Sequence, residues 1–180
     1  LGLRLRLGAA FRILAGRILR ADKAPFDAQF AVGAEANESY GPRYIFEGDC
    51  RAIVDHTYNG FQFRPNDDAH PIGFAQNRNH ARYVLPLIHG GGNFHLDELG
   101  NAHATRLIVN ENPSRTQAQI VALWQQYQNL NTTIYNPFRT SVDGTQHIDM
   151  WMQVISDDKI MISDWPSAPG SVEDVICDNA

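Results

Sequence analysis

His147 and Asp149 stand two positions apart in Gly144-Thr145-Gln146-His147-Ile148-Asp149-Met150-Trp151, at the mouth of a predicted strand. Strand side chains alternate, so both are expected to project to one side. A histidine shuttles protons near neutral pH, and a carboxylate beside it holds a cation and orients the imidazole. On spacing alone an ordinary strand-edge pair is the favoured reading. A second constellation is His89-Gly90-Gly91-Gly92-Asn93-Phe94-His95-Leu96-Asp97, with His103 beyond it. Its glycines allow close backbone approach but do not match the G-x-G-x-x-G fingerprint, which excludes a standard dinucleotide loop. His89, His95, Asp97 and His103 are residue types that ligate zinc or iron, although no H-E-x-x-H spacing supports a metal site. Cys50 follows a turn, and Cys177 sits among Glu173, Asp174 and Asp178, whose charge disfavours a thiolate. No G-x-S-x-G elbow is present.

These residues must be held by ordinary elements. Arg43–Phe46 and Ala52–Tyr58 read as a hairpin around Glu47-Gly48-Asp49, and Asn59–Arg82 as a long polar loop. Tyr83–Ile88 reads as a buried strand, with further strands at Phe94–Leu96 and Thr105–Val109. A helix starts near Asn112-Pro113-Ser114-Arg115-Thr116-Gln117, capped either by Asn112 or by Ser114 with Gln117, and ends near Asn129. Ile120, Leu123, Trp124 and Tyr127 form its apolar face. Thr132–Tyr135 and a hairpin of Met150–Ile155 with Lys159–Ser163 complete a mixed α/β repeat, distinct from a doubly wound sheet.

Composition limits the partners. The 180 residues carry a net charge of −5, but residues 1–23 hold six basic side chains against Asp22 alone, so the remainder sums to −10. An acidic body without a basic, aromatic-interleaved patch argues against nucleic acid. No window approaches the roughly 20 apolar residues of a membrane-spanning helix. Residues 1–39 read as a separate arginine- and alanine-rich arm. Within it, 9–20 is a candidate short helix, and the arm is either irregular or presequence-like.

From Tyr40 to about Pro166 the chain resembles the bacterial-type peptidylarginine deiminase and agmatine deiminase family of guanidino-group hydrolases. The matching pieces are Tyr40-Gly41-Pro42, Ile53-Val54-Asp55 with Thr57-Tyr58-Asn59, Arg64-Pro65-Asn66-Asp67-Asp68, Gly91-Gly92-Asn93-Phe94, Asp97 before Gly100, Glu111-Asn112-Pro113, and His147-Ile148-Asp149-Met150-Trp151. The resemblance implies a pentein-like α/β propeller of strand-strand-helix-strand units, here an incomplete fan of about three, with residues 40–180 as a partial deiminase-like domain. It also implies attack of a cysteine thiolate on the guanidinium carbon, loss of ammonia, and hydrolysis of the thiouronium to a ureido product, with neither metal nor organic cofactor. A planar, multi-donor cation calls for two carboxylates, and a histidine protonates the departing ammonia and then activates water.

Carried over, His147 is the acid–base histidine and Asp149 one guanidinium-binding carboxylate. Asn93 lines the central substrate tunnel that the resemblance implies, with Gly91 and Gly92, and Arg64 holds a substrate carboxylate. Gly60-Phe61-Gln62-Phe63 replaces a partner arginine. The other carboxylate is expected where Ala36-Asn37-Glu38-Ser39 stands. Ser39 cannot neutralise a guanidinium, and Glu38 takes that part if the backbone shifts by one residue. Cys177-Asp178-Asn179 does not match the family's nucleophile segment. The loss of family character before Tyr40 points to a truncated or altered reading frame.

The expected partner is therefore an arginine-like small molecule or peptidyl-arginine, with self-association through open sheet edges. The other readings are an inactive remnant or binding module for arginine-like ligands, and a small metal-dependent protein. Localisation follows the branch: cytoplasmic for agmatine, secreted or periplasmic for peptidylarginine.

Overall fold

A computed structural model describes residues 43–47, 49–60, 62–165 and 168–180. The expected arm at 1–39, with Glu38, lies outside them. Among the described residues, strands β1 (Arg43–Glu47) and β2 (Cys50–Tyr58) form the expected antiparallel hairpin. Strand β3 (Ala81–His89) then lies parallel to β2.

The segment between them is not the loop that its polarity suggested. It folds into α1 (Pro65–Asp68) and α2 (His70–Arg78). Pro65 and Pro71 sit in the first turns, where a missing N–H costs nothing. Asn79 closes α2 in the left-handed region at φ 52°. With only Pro71 and Ala75 buried, α2 shows too narrow an apolar stripe to announce itself. Strand β3, expected as a buried strand, is buried on one face. Tyr83, Leu85, Leu87 and His89 face inward, while Val84 is exposed.

The pattern then repeats. Strands β4 (His95–Leu96) and β5 (Asn101–Thr105) pair antiparallel, and β6 (Asn131–Tyr135) runs parallel to β5. Helices α3 (Leu107–Glu111) and α4 (Gln117–Gln128) connect β5 to β6. Residues 107–109, expected in a strand, are helical because the Asn112 side chain takes over the pairing. Its amide donates to the carbonyls of Ile88 and Ile108 and accepts from Ile88 N–H at 2.9 Å. That commitment also removes Asn112 as a cap. Thr116 caps α4 instead, in a reciprocal box with Gln119 that satisfies two otherwise orphaned donors. Strands β7 (Met152–Ser156) and β8 (Lys159–Ile162) form a third hairpin, followed by α5 (Val172–Asp178).

Among the described residues the structure is thus a mixed α/β fold, in which a strand-strand-helix-strand order occurs twice and a strand-strand-helix order follows. One apolar core joins the first two units through Ile45, Val54, Leu85, Leu87, Ala104, Ile120 and Trp124. A second gathers Phe138, Ile148, Trp151, Met152 and Cys177 under the third hairpin. Among the described residues no helix is long and apolar enough to cross a membrane.

Candidate active site

Both parallel pairs deliver loops from their carboxyl ends. Strands β2 and β3 end at Tyr58 and His89, and β5 and β6 at Thr105 and Tyr135. Clefts at such ends are the usual ligand positions of parallel α/β sheets. Directly after β3, Gly91–Asn93 forms a single 3-10 turn, buried throughout. Asn93 fixes it: its Oδ1 accepts from Thr105 N–H at 2.9 Å, and its Nδ2 donates to the Thr105 carbonyl at 3.4 Å. The side chain thereby imitates a strand partner for the end of β5.

His147 and Asp149 meet this turn at Gly92. A Cβ built on Gly92 would lie 2.7 Å from His147 Nδ1 and in still closer contact with Asp149 Oδ2. Glycine is required because those two side chains occupy the space a Cβ would take. Their convergence does not arise from strand alternation, as the sequence suggested. His147 precedes a 3-10 turn, Ile148–Met150, whose fully buried Ile148 anchors it in the second core.

The approach to His147 is tightly braced. Asp143 Oδ1 accepts from Thr145 N–H at 2.8 Å and from the Thr145 hydroxyl at 2.5 Å. Gln146 is held in the left-handed region at φ 58°, a conformation that costs a non-glycine residue about 1–2 kcal/mol. Its own N–H donates to the Asp143 carbonyl at 3.3 Å, and two further bonds hold it there. Thr105 Oγ1 donates to the Gln146 carbonyl at 2.7 Å, and Gln146 Nε2 donates to the Phe138 carbonyl at 3.2 Å. Thr105 therefore touches both halves of the cluster, the glycine turn through its backbone and the His147 segment through its hydroxyl.

A buried wall of rings with one guanidinium flanks the turn. His56 and His89 stack with ring centroids 3.7 Å apart, and Arg43 lies 3.7 Å above the Phe94 ring. Burial pushes the Arg43 guanidinium down to about 9 and keeps both imidazoles well below their usual range. Neutral His56 and His89 relieve the charge that Arg43 would otherwise repel. On the other flank, Asn59 Nδ2 donates to Glu111 Oε1 at 2.8 Å, and burial raises the Glu111 carboxyl to about 7.

The remaining candidates are dispersed. Arg64 is half exposed before α1, ion-paired with Asp67 and 5.8 Å from the Tyr58 ring centroid. Asp97 spends both oxygens on Asn101, at 2.8 and 2.7 Å, as a turn brace. His95 and His103 face each other across β4 and β5, with His103 bonded to the Tyr135 hydroxyl. Among the described residues no three histidine, cysteine, aspartate or glutamate side chains form a metal-sized group.

Cys50 is exposed at the start of β2, and Cys177 is buried in the second core. Burial, more than the charges of Asp174 and Asp178, pushes the Cys177 thiol up. Glu173, expected to add to that effect, is engaged bidentately by Arg139 at 2.8 and 2.7 Å. Thr105, Gln146 and Glu111 were not anticipated as site residues. Glu111 lay in the Glu-Asn-Pro piece and Gln146 in the segment around His147, whereas Thr105 showed no more than the start of a predicted strand.

The Porphyromonas-type peptidyl-arginine deiminase family matches this chain over residues 38–176. The chain belongs to that family. A protein of Shewanella sp. (strain MR-4) assigned by name to agmatine deiminase is 33% identical over 122 residues, covering 61% of this chain and 33% of that protein. A Shewanella frigidimarina protein assigned the same name is 34% identical over 123 residues, with the same coverage.

Among solved structures, Enterococcus faecalis agmatine deiminase superposes with a TM-score of 0.66 at 16% identity, over 79% of this chain and 43% of its own. A substrate-bound C. jejuni agmatine deiminase gives 0.66 at 17%, over 79% and 46%. The family is one of guanidino-group deiminases, and the solved relatives share the fold. The chain spans about a third of the curated relatives it matches and under half of the solved ones.

Proposed function

We propose that this chain forms the cation-binding and acid–base portion of an amidine hydrolase acting on an arginine-like ligand, agmatine or peptidyl-arginine. The observation that carries the reading is the meeting of His147 and Asp149 at Gly92, where no other residue would leave them room. Asp149 accepts two guanidinium N–H groups, and His147 stands beside the C–N bond that breaks. In the full reaction a thiolate adds to the guanidinium carbon, and His147 gives a proton to the nitrogen that leaves as ammonia. Water then adds to the thiouronium as His147 takes its proton, the C–S bond breaks, and a ureido group remains. Asn93 serves as a positioning residue for the glycine turn, and Arg64 as an outer contact for a ligand carboxylate.

The repeated units support an incomplete pentein-like fan, with residues 40–180 as one partial domain whose open strand edges favour self-association. In this reading neither Cys50, exposed at the start of β2, nor Cys177, whose raised thiol disfavours its thiolate, serves as the nucleophile. The 180-residue chain accordingly binds the ligand without turning it over.

Calorimetry with agmatine, alongside a ureido-product assay on agmatine, arginine and an arginine-terminated peptide, tests this. Weak, salt-sensitive agmatine binding lost in Asp149→Asn, without product, is expected. Robust turnover abolished by Cys177→Ser would make Cys177 the nucleophile and overturn the division of roles.

A further inference from the structure

A planar guanidinium presents up to five N–H donors, more than one carboxylate can accept. The resemblance places the second carboxylate where Ser39 stands, and a serine carries no charge. The described residues hold an acid in a suitable place. Glu111 closes α3, the helix that follows β5, and Asn59 and Gly90 follow β2 and β3. All three therefore lie past the carboxyl ends of the parallel strands, as Gly92 does.

The linkage is short. Asn59 Nδ2 would lie 2.9 Å from a Cβ built on Gly90, so the Asn59 amide fills the side-chain space of the first glycine as His147 and Asp149 fill that of Gly92. The same Nδ2 donates to Glu111 Oε1 at 2.8 Å. Glu111 Oε2 is buried and has no hydrogen-bond partner among the described residues. A buried carboxylate oxygen without a donor is costly, and a cationic N–H group resolves that cost.

We propose that Glu111 is the second ligand-binding carboxylate, oriented by Asn59 and accepting a cationic N–H on Oε2 across the glycine turn from Asp149. This assignment rests on the reading above and makes Glu111, in place of Glu38, the partner of Asp149. It also accounts for the two outer glycines: Gly90 leaves room for the Asn59–Glu111 arm, and Gly92 for the His147–Asp149 arm. Burial that raises Glu111 to about 7 lets the empty site rest neutral, and a bound cation restores the charge.

The test is calorimetric titration of agmatine into the wild-type chain, Glu111→Gln and Asp149→Asn, with 13C NMR of the Glu111 carboxyl in the wild-type protein. Glu111→Gln preserves shape and the acceptor for Asn59, so folding should survive. Its Kd is expected to rise at least tenfold, with partial recovery in Glu111→Asp, and agmatine should move the wild-type carboxyl resonance. The NMR readout holds even where a variant fails to fold. Wild-type affinity in Glu111→Gln with an unmoved resonance, while Asp149→Asn loses binding, overturns the assignment and leaves the broader reading standing. Weakening by Glu38→Gln instead of Glu111→Gln also overturns it. A wild-type chain that binds neither agmatine, arginine nor guanidinium overturns both.

Discussion

Thr105 Oγ1 donates to the Gln146 carbonyl at 2.7 Å, tying the end of β5 to the residue before His147. The two positions are 41 residues apart, yet this bond sets where the imidazole begins. Thr105→Val keeps the volume but strands the partly buried Gln146 carbonyl and removes the acceptor for Leu107 N–H. A loss of about 1–3 kcal/mol is expected, read from the denaturant midpoint. Thr105→Ser should recover most of it.

Gly92→Ala separates fold from site. The three atoms nearest the added methyl are side-chain atoms of His147 and Asp149, which can swing away, so the cost should be near the lower end of the 1–3 kcal/mol typical of overpacking. Under the proposed function agmatine binding should nevertheless disappear, because both side chains leave their positions. Thermal melting and calorimetry on one sample distinguish the two effects. A variant that binds normally would dissociate Gly92 from the site.

Glu111 gives stability a pH slope. Its folded carboxyl titrates near 7, above its ordinary value of 4.5, so between those pH values the native state holds a proton that the unfolded chain has released. Stability therefore falls as pH rises through this window, by at most about 3 kcal/mol, with the penalty fully present above pH 7. Urea unfolding at pH 5 and pH 8 should show the decline, and Glu111→Gln should flatten it.

Glu173 acts in the opposite sense. The Arg139 hydrogen bonds hold its carboxyl down to about 2, so its contribution is present above the ordinary value of 4.5 and is lost as pH falls toward 2. Melting temperatures measured from pH 5 to pH 2 should fall more steeply in the wild type than in Glu173→Gln. The partner Arg139 is half exposed, so salt should weaken the effect.

The sequence made the hairpins and α4 legible because alternation, turn residues and an apolar face at 3–4 residue spacing all reported on the same structure. Helix α2 escaped because Pro71 and Ala75 alone are buried on it. The α3 segment escaped because Asn112, 24 residues from Ile88 in sequence, supplies the strand-like bonds. His147, Asp149 and the Gly91–Asn93 turn could be picked out by residue type and order. Their brace could not. A positive φ at Gln146 and the long-range bonds of Thr105 and Asn59 are tertiary facts with no local pattern.

The most direct test of the central claim is an amide- and imidazole-resolved NMR titration of the 180-residue chain with agmatine. Saturable shifts are expected at Gly90, Gly92, Thr105 and the His147 ring, and none in Asp149→Asn. Shifts confined to Arg64 and α1, or no saturable shift at Gly92 and His147, would contradict that claim.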